Sequence, residues 1–208
     1  MNETDIIVNL PVIATRGMVV FPDHELSLDV GREFSLKAIN DSVNSYDENI
    51  VFVSQVNPLD ENTDFDHVYH FGTLCKIKRR IRRDNHGTIK LTVLGVKRVG
   101  ILSLDTKDNC LYANVKYLED IHGDKNEEVA LVRKVSDQLK SMNKNLQIPR
   151  EMFSQITNGM SASALADTIG QYIQIELPTK QKILAENDIN KRLLLVLGSM
   201  EEEKVIND

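Results

Sequence analysis

Only two cysteines, Cys75 and Cys110, occur in the 208 residues, and no C-x-x-C spacing links them. Each sits in an apolar, strand-like alternation, so both read as buried free thiols rather than as a disulfide framework or a zinc site. Long hydrophobic runs are missing as well. The longest, such as Leu193 to Leu197, fall far short of the roughly 20 residues that cross a bilayer. The opening MNETDIIVNLPV carries an acid where a secretory signal carries basic residues, and no apolar stretch with a small-residue cleavage site follows. The expected location is therefore the cytoplasm, with no membrane partner. Excess positive charge is lacking too. A formal net charge of −6 argues against a surface adapted throughout to polyanions, and leaves room only for a local basic patch.

The templates for catalysis are also absent. No G-x-x-x-x-G-K-[ST] loop is present to cradle phosphates with backbone amides, and neither a G-x-S-x-G elbow nor an H-E-x-x-H helix occurs. His67 and His70 in DHVYH, read as strand residues, point to opposite faces and do not converge on one ion. No serine has a lysine or histidine at a spacing that identifies a nucleophile and its base. The chain itself is thus expected to have no catalytic residue and no metal or cofactor site.

What is present is a normal folding composition, 41% apolar and 27% charged, enough to bury a sizeable core. The amino-terminal part reads as strands: IIVNLPVIAT, ELSLDV and NIVFVSQV, bounded by Gly, Pro, Asn or Asp and rich in β-branched residues. One helix lies between the second and third, where Phe34, Ala38, Ile39 and Val43 recur at helical spacing. A long hairpin follows, FGTLCKIKRRIRR then DNHG then TIKLTVLGVKRVGIL, with Asn85 and Gly87 suited to the reversal. After a polar turn at Asp105 to Asn109 comes CLYANVKYLED. Six or seven strands before residue 120 predict an antiparallel sheet or partly closed barrel.

Around EDIHGDKNEE the apolar period changes from 2 to 3.6. The expected organisation is α+β, with a β-rich unit over residues 1–119 and a helical unit over 120–208. Leu131, Val135, Leu139 and Met142 mark one buried helical stripe, Pro149 opens another helix, and Ser161 or Ser163 caps a third carrying Leu165, Ile169 and Ile173. Pro178 is expected to break that helix. A short segment then precedes Asn187 or Asp188, the cap of a last helix with Ile189, Leu193, Val196 and Met200 inward. Because no Gly or Pro ends it, this helix is expected to continue past Asp208.

The opening LPVIATRGMVVFPDHELSLDVGRE resembles the start of Lon-type ATP-dependent proteases, in Leu10-Pro11, Arg16, Phe21-Pro22 and Val30-Gly31-Arg32. The hairpin is similar to that family's in Gly72-Thr73, Gly87-Thr88, Gly95 and Arg98, and ILAENDINKRLLLVL is similar to its helix leading toward the ATPase, including Lys191-Arg192-Leu193. The likeness runs in order along nearly the whole chain. Ala14-Thr15, where Pro-Leu is usual, and the density of Arg near the hairpin tip are departures that bear on the recognition surface. The resemblance implies a PUA-like β-rich pseudo-barrel, then a helical bundle with a long terminal helix. It further implies a substrate-recognition and assembly domain of a homohexameric protease that degrades misfolded and degron-tagged proteins. ATP, magnesium and the Ser-Lys dyad would belong to parts of that parent outside this chain, and an adaptor or inhibitor protein is a further partner.

A receptor for unfolded chains must expose some apolar surface. Two places are candidates. In GMVVFP, the valines suit the core and Met18, Phe21 and Pro22 are the candidate contacts, with Met18 and Pro22 expected at the surface. The other is Ile81 at the hairpin end, among Lys76, Lys78, Arg79, Arg80, Arg82 and Arg83. Those six cations read either as a solvated edge that resists strand-to-strand aggregation or as a basic finger for acidic clients. The alternative function they support is a free-standing nucleic-acid-binding module on the same barrel.

Overall fold

The computed structural model describes residues 6–83, 87–142 and 148–207, the side chains of 203–207 excepted. The chain divides into two compact units, Met1–Leu118 and Glu119–Asp208.

The first unit holds six strands and one helix: β1 (Ile7–Thr15), β2 (Glu25–Val30), α1 (Glu33–Ser45), β3 (Asn49–Ser54), β4 (Phe71–Arg82), β5 (Ile89–Lys107) and β6 (Cys110–Tyr117). They form one sheet in the order β2-β5-β4-β3-β1-β6, and β5 also pairs with β6. Closure depends on the length of β5. Its first part, Ile89 to Leu94, pairs with β2, and its last part, Val99 to Lys107, pairs with β6, while β4 lies along its other edge. The sheet is mixed rather than antiparallel, because β1 and β3 are parallel, as the intervening α1 crossover allows.

Alternate residues of β1 and β3 feed two hydrophobic clusters. Val12, Ala14, Val51 and Val53 belong to one, and Ile13, Ile50 and Phe52 to the other. Strands buried on both faces read as near-continuous apolar runs, which is the pattern of VIA and IVFV. On α1 the inward residues are Ala38 and Ile39, joined by Ser35 and Ser42, while Phe34 and Val43 are half-buried. Gly87 takes φ +92°, consistent with the reversal assigned to it, whereas Asn85 lies outside the described residues. The next hairpin turns only at Asp108 and Asn109, both with positive φ, so β5 runs past Asp105 to Lys107. His67 ends a short 3-10 turn, Phe65–His67, and His70 stacks on Phe65, so DHVYH is no strand. Cys75 and Cys110 are both buried free thiols, and burial pushes the Cys75 thiol pKa far up.

The second unit is helical: α2 (Lys125–Met142), α3 (Arg150–Thr157), α4 (Ala162–Tyr172), α5 (Leu177–Ala185) and α6 (Ile189–Asn207). Leu131, Val135, Leu139 and Met142 are the buried residues of α2, and Ile189, Leu193, Val196 and Met200 are buried along α6. Ser161 caps α4 by accepting from the Ala164 N–H, and Asp188 accepts from the Lys191 N–H at the start of α6. Pro178 corrects the expectation made for it. It sits in the first turn of α5, where its missing N–H has no helical partner to lose, so it starts a helix rather than only ending one. No helix among the described residues is long and apolar enough to cross a membrane.

The helical unit is pinned by Arg192, which is 0% exposed. Its Nη2 donates to Asp120 Oδ1 at 2.6 Å, its Nη1 to Ser163 Oγ at 3.0 Å and to Asp167 Oδ1 at 3.4 Å, and its Nε to the Glu186 carbonyl at 2.7 Å. One guanidinium thereby ties α6 to α4, to the entry segment and to the end of α5.

Candidate functional site

The segment between β1 and β2 is not a strand. Its carbonyls are held by neighbouring side chains: Thr15 Oγ1 and Ser54 Oγ donate to the Met18 carbonyl at 2.8 and 2.6 Å, and Thr73 Oγ1 donates to the Val20 carbonyl at 2.6 Å. Across β5, the Asp23 N–H donates to the Gly95 carbonyl and the Gly95 N–H to the His24 carbonyl, each at 2.9 Å. A Cβ on Gly95 would lie 2.3 Å from the Phe21 carbonyl oxygen, so any other residue would force the backbone to shift. The Phe-Pro element and the Gly-Thr and Gly elements of the hairpin are therefore two sides of one contact.

Packing follows from that clamp. Val19, Val20 and Phe21 are buried, Phe21 at 0% exposure, and Pro22 is buried too. Neither Phe21 nor Pro22 presents a side chain to solvent, which corrects the exposure expected of Pro22. The backbone bonds at Asp23 and His24 press the segment onto β5. Met18 alone of the three is half-exposed.

Met18 borders a cleft of about 200 Å³, with Ile13, Val30 and half-buried Leu28 as further apolar lining. The polar lining is Thr15, Arg16, Asp29, Arg32 and Ser35. Arg32 donates through Nη1 to Gln55 Oε1 at 3.0 Å and through Nη2 to the Ala14 carbonyl, and its guanidinium lies 4.8 Å from the Phe34 ring centroid. Burial, reinforced by the charge of Arg16, pulls the Arg32 pKa below its ordinary value. Arg16 Nη2 donates to the Asp60 carbonyl at 3.3 Å, and Gln55 Nε2 reaches the same oxygen at 2.8 Å. Beside Asp60 stands Leu59, 88% exposed. Leu59, Ser35 and the site roles of Arg16 and Arg32 were missed in the sequence. The arginines stood there only as family landmarks, and nothing in the spacing of residues 16, 32, 35 and 59 shows that β1, α1 and a loop bring them together.

The hairpin places Ile81 differently. A bulge between Ile77 and Arg79 shifts the register, so Ile81 pairs with Lys90 rather than continuing the buried row of Ile77 and Val93. Ile81 is 45% exposed in consequence. Of the six cations, Lys76 pairs with Asp47 at 2.8 Å and Arg83 with Asp29 at 3.3 Å, while Lys78, Arg79, Arg80 and Arg82 are exposed along the strand. Ile81 does not line this cleft, nor another of about 210 Å³ in the helical unit lined by Val132, Leu139, Phe153, Ile156, Met160 and Leu165 among others.

Comparison with known proteins gives these features a family. Residues 9–202 match the family described as the ATP-dependent protease La (LON) substrate-binding domain. The chain belongs to that family. Lon protease of Escherichia coli (strain K12) is 29% identical over 197 residues, covering 94% of this chain and 25% of that protein. Lon protease of Clostridioides difficile (strain 630) is 31% identical over 210 residues, covering 97% and 26%. The chain thus spans about a quarter of the length of these relatives. Two solved structures share the fold: the N-terminal domain of Mycobacterium avium complex Lon protease, with TM-score 0.77 at 18% identity over 93% of this chain and 98% of that one, and a Lon N-terminal domain protein from Xanthomonas campestris, with TM-score 0.66 at 16% identity over 92% and 98%. In this Lon substrate-binding domain, Arg192 of the Lys-Arg-Leu element and Gly95 of the hairpin are accounted for by packing. The Met18 cleft is left over.

Proposed function

We propose that this chain receives unfolded or degron-bearing polypeptides for a Lon-type ATP-dependent serine protease, and performs no chemistry itself. The observation that carries the reading is the family match over residues 9–202. In this proposal ATP and magnesium are handled by parts of the parent outside this chain, the parent is a cytoplasmic homohexamer, and an adaptor or inhibitor can share the receiving surface. Met18, Leu28 and Leu59 offer apolar surface near the Arg16–Asp60 contact. Ile81 offers a second, separate contact.

Weak capture suits such a role. An apolar patch of a few hundred Å² at roughly 25 cal/mol per Å² gives several kcal/mol, and association entropy removes at least about 4, which leaves millimolar to micromolar affinity per domain. Several copies around a ring raise the effective affinity by about 10² or more while each contact still releases quickly. The test is fluorescence anisotropy of a reduced, carboxymethylated client against the 208-residue chain. Micromolar or weaker binding that the native, disulfide-bonded client lacks, and that Met18→Glu weakens, supports the reading. Equal binding of folded and unfolded client sinks it. Tight, steeply salt-dependent binding of DNA or RNA, lost when Arg79, Arg80 and Arg82 are neutralised, would favour the nucleic-acid alternative.

A further inference from the structure

Cations that line a cleft normally have carboxylates beside them. Arg16 and Arg32 are not paired with one: the bonds they make go to the Asp60 carbonyl, the Ala14 carbonyl and the Gln55 amide oxygen, and neither forms an ion pair among the described residues. The charge of Arg16 also disfavours that of Arg32, in the direction already noted. The one carboxylate among the lining residues, Asp29, pairs with Arg83 at 3.3 Å.

Two further observations fall at the same place. The 13-residue helix α1 begins here with no side-chain cap, and the amides of Glu33, Phe34 and Ser35 precede its first bond, from the Leu36 N–H to the Arg32 carbonyl at 3.0 Å. Such amides carry the positive end of the helix dipole and bind anions. Ser35 supplies the second observation. It is 1% exposed, lines the cleft, and its Oγ has no hydrogen-bond partner. A buried hydroxyl without a partner costs stability, and a ligand oxygen removes that cost.

We propose that this cleft binds a carboxylate of a client polypeptide, with Ser35 Oγ and the first amides of α1 donating to it and Arg16 and Arg32 supplying the counter-charge. That the occupant is a client rests on the substrate-receiving reading above; that the site takes a carboxylate does not. Met18, Ile13, Leu28 and Val30 form an apolar wall against the same space, which fits a carboxylate attached to an aliphatic or aromatic residue better than a bare inorganic ion. A volume of about 200 Å³ admits one such residue and not a folded segment.

The probe is N-acetyl-leucine, with N-acetyl-leucinamide as its uncharged twin, followed by 15N–1H correlation spectra of the 208-residue chain. The acid is expected to shift the amides of Glu33, Phe34 and Ser35, and the amide twin to leave them in place. Ser35→Ala should weaken the acid about tenfold through loss of a hydrogen bond to a charged group. Arg16→Gln should weaken it about threefold, its charge being exposed, and Asp29→Asn should tighten it by removing a like charge. Equal shifts from acid and amide, shifts elsewhere, or inorganic phosphate binding as tightly as the acid would each overturn the carboxylate assignment. An unstructured peptide with an amidated end and a penultimate Glu, against the same peptide with a free end and Gln, tells a side-chain carboxylate from a terminal one, and either success supports the site. Should N-acetyl-leucine bind as described while unfolded clients do not bind at all, the receiving function fails and the carboxylate site stands.

Discussion

Each of the two compact units draws an arginine inward, Arg192 completely and Arg32 by about half, and the two are treated in opposite ways. Arg192 in the helical unit meets two carboxylates, a hydroxyl and a carbonyl. Arg32 in the β-rich unit meets a carbonyl, an amide oxygen and an aromatic ring, with a second arginine close enough to lower its pKa. A guanidinium surrounded by its counter-charges is finished: it holds helices together and has nothing left to bind. One left with a like charge and an unpartnered hydroxyl beside it retains binding capacity at some expense in stability. Mutations that separate the two kinds of arginine test the contrast.

The largest effect is expected at Arg192. Arg192→Met removes the cationic partner shown for buried Asp167 and one partner of Asp120, and breaking a buried pair from one side costs about 3–5 kcal/mol. Urea unfolding monitored by circular dichroism measures it, and a loss below about 1 kcal/mol would mean that the pairing is dispensable. Gly95→Ala comes next. Its Cβ would meet the Phe21 carbonyl at 2.3 Å, and the backbone must yield, at about 1–3 kcal/mol by the scale of overpacked cores. Because the clamp on residues 21–24 is what buries Phe21 and Pro22, this variant should also raise the exposure of that segment, seen as faster amide exchange at Asp23 and at Gly95's replacement.

Much of this architecture was legible in the sequence, and the illegible parts have physical causes. Strand and helix periodicity located the six strands, the crossover helix and the stripes of α2 and α6, since burial of one face writes itself into spacing. Pro178 was misread because proline ends one helix and begins the next with the same ring, and only the neighbouring residues decide which. The parallel pairing of β1 and β3 leaves no local mark, as two-faced burial gives the same apolar run in either direction. At the candidate site, Met18 and Ile81 were legible as apolar residues in polar settings. Pro22 was not, because the bonds that bury it come from Gly95, more than 70 positions along the chain. The Arg16, Arg32 and Ser35 grouping was illegible for a related reason: the end of β1 and the start of α1, separated in sequence by β2, line one cleft only in the folded unit.

A smaller effect of opposite sign is expected at Ser35. Replacing it with alanine removes an unpartnered buried hydroxyl and improves helix propensity, so stability should be unchanged or rise by about 1 kcal/mol while the acid ligand binds about tenfold more weakly. A structural serine would behave in the reverse way, with stability falling and no ligand to lose. Arg16→Gln, at an exposed position, should change stability by no more than about 0.5 kcal/mol, which keeps its effect on ligand binding readable.

The smallest expected effect lies in the loop that presents Leu59, and it sharpens the comparison from the other side, since here charges do have partners. His67 Nδ1 lies 2.5 Å from Asp64 Oδ1, and its Nε2 lies 3.7 Å from Asp60 Oδ2. The bond to Asp64 is the main cause that raises the His67 pKa above its ordinary 6.5, and the same bond lowers the pKa of Asp64. For a histidine whose folded pKa is raised, the contribution to stability is fully present below the unfolded pKa and disappears as pH rises through the folded one. The loop should therefore be most ordered on the acid side of neutrality, until pH falls far enough to protonate Asp64. Proton NMR titration of the His67 ring is expected to give a midpoint above 6.5, moving down in Asp64→Asn, and amide exchange at residues 59–64 should quicken as pH is raised through that midpoint after correction for the intrinsic rate. A midpoint at or below 6.5, unchanged in Asp64→Asn, would show that this pairing does not persist in solution and that Asp60, with the Arg16 contact it anchors, owes nothing to the histidine.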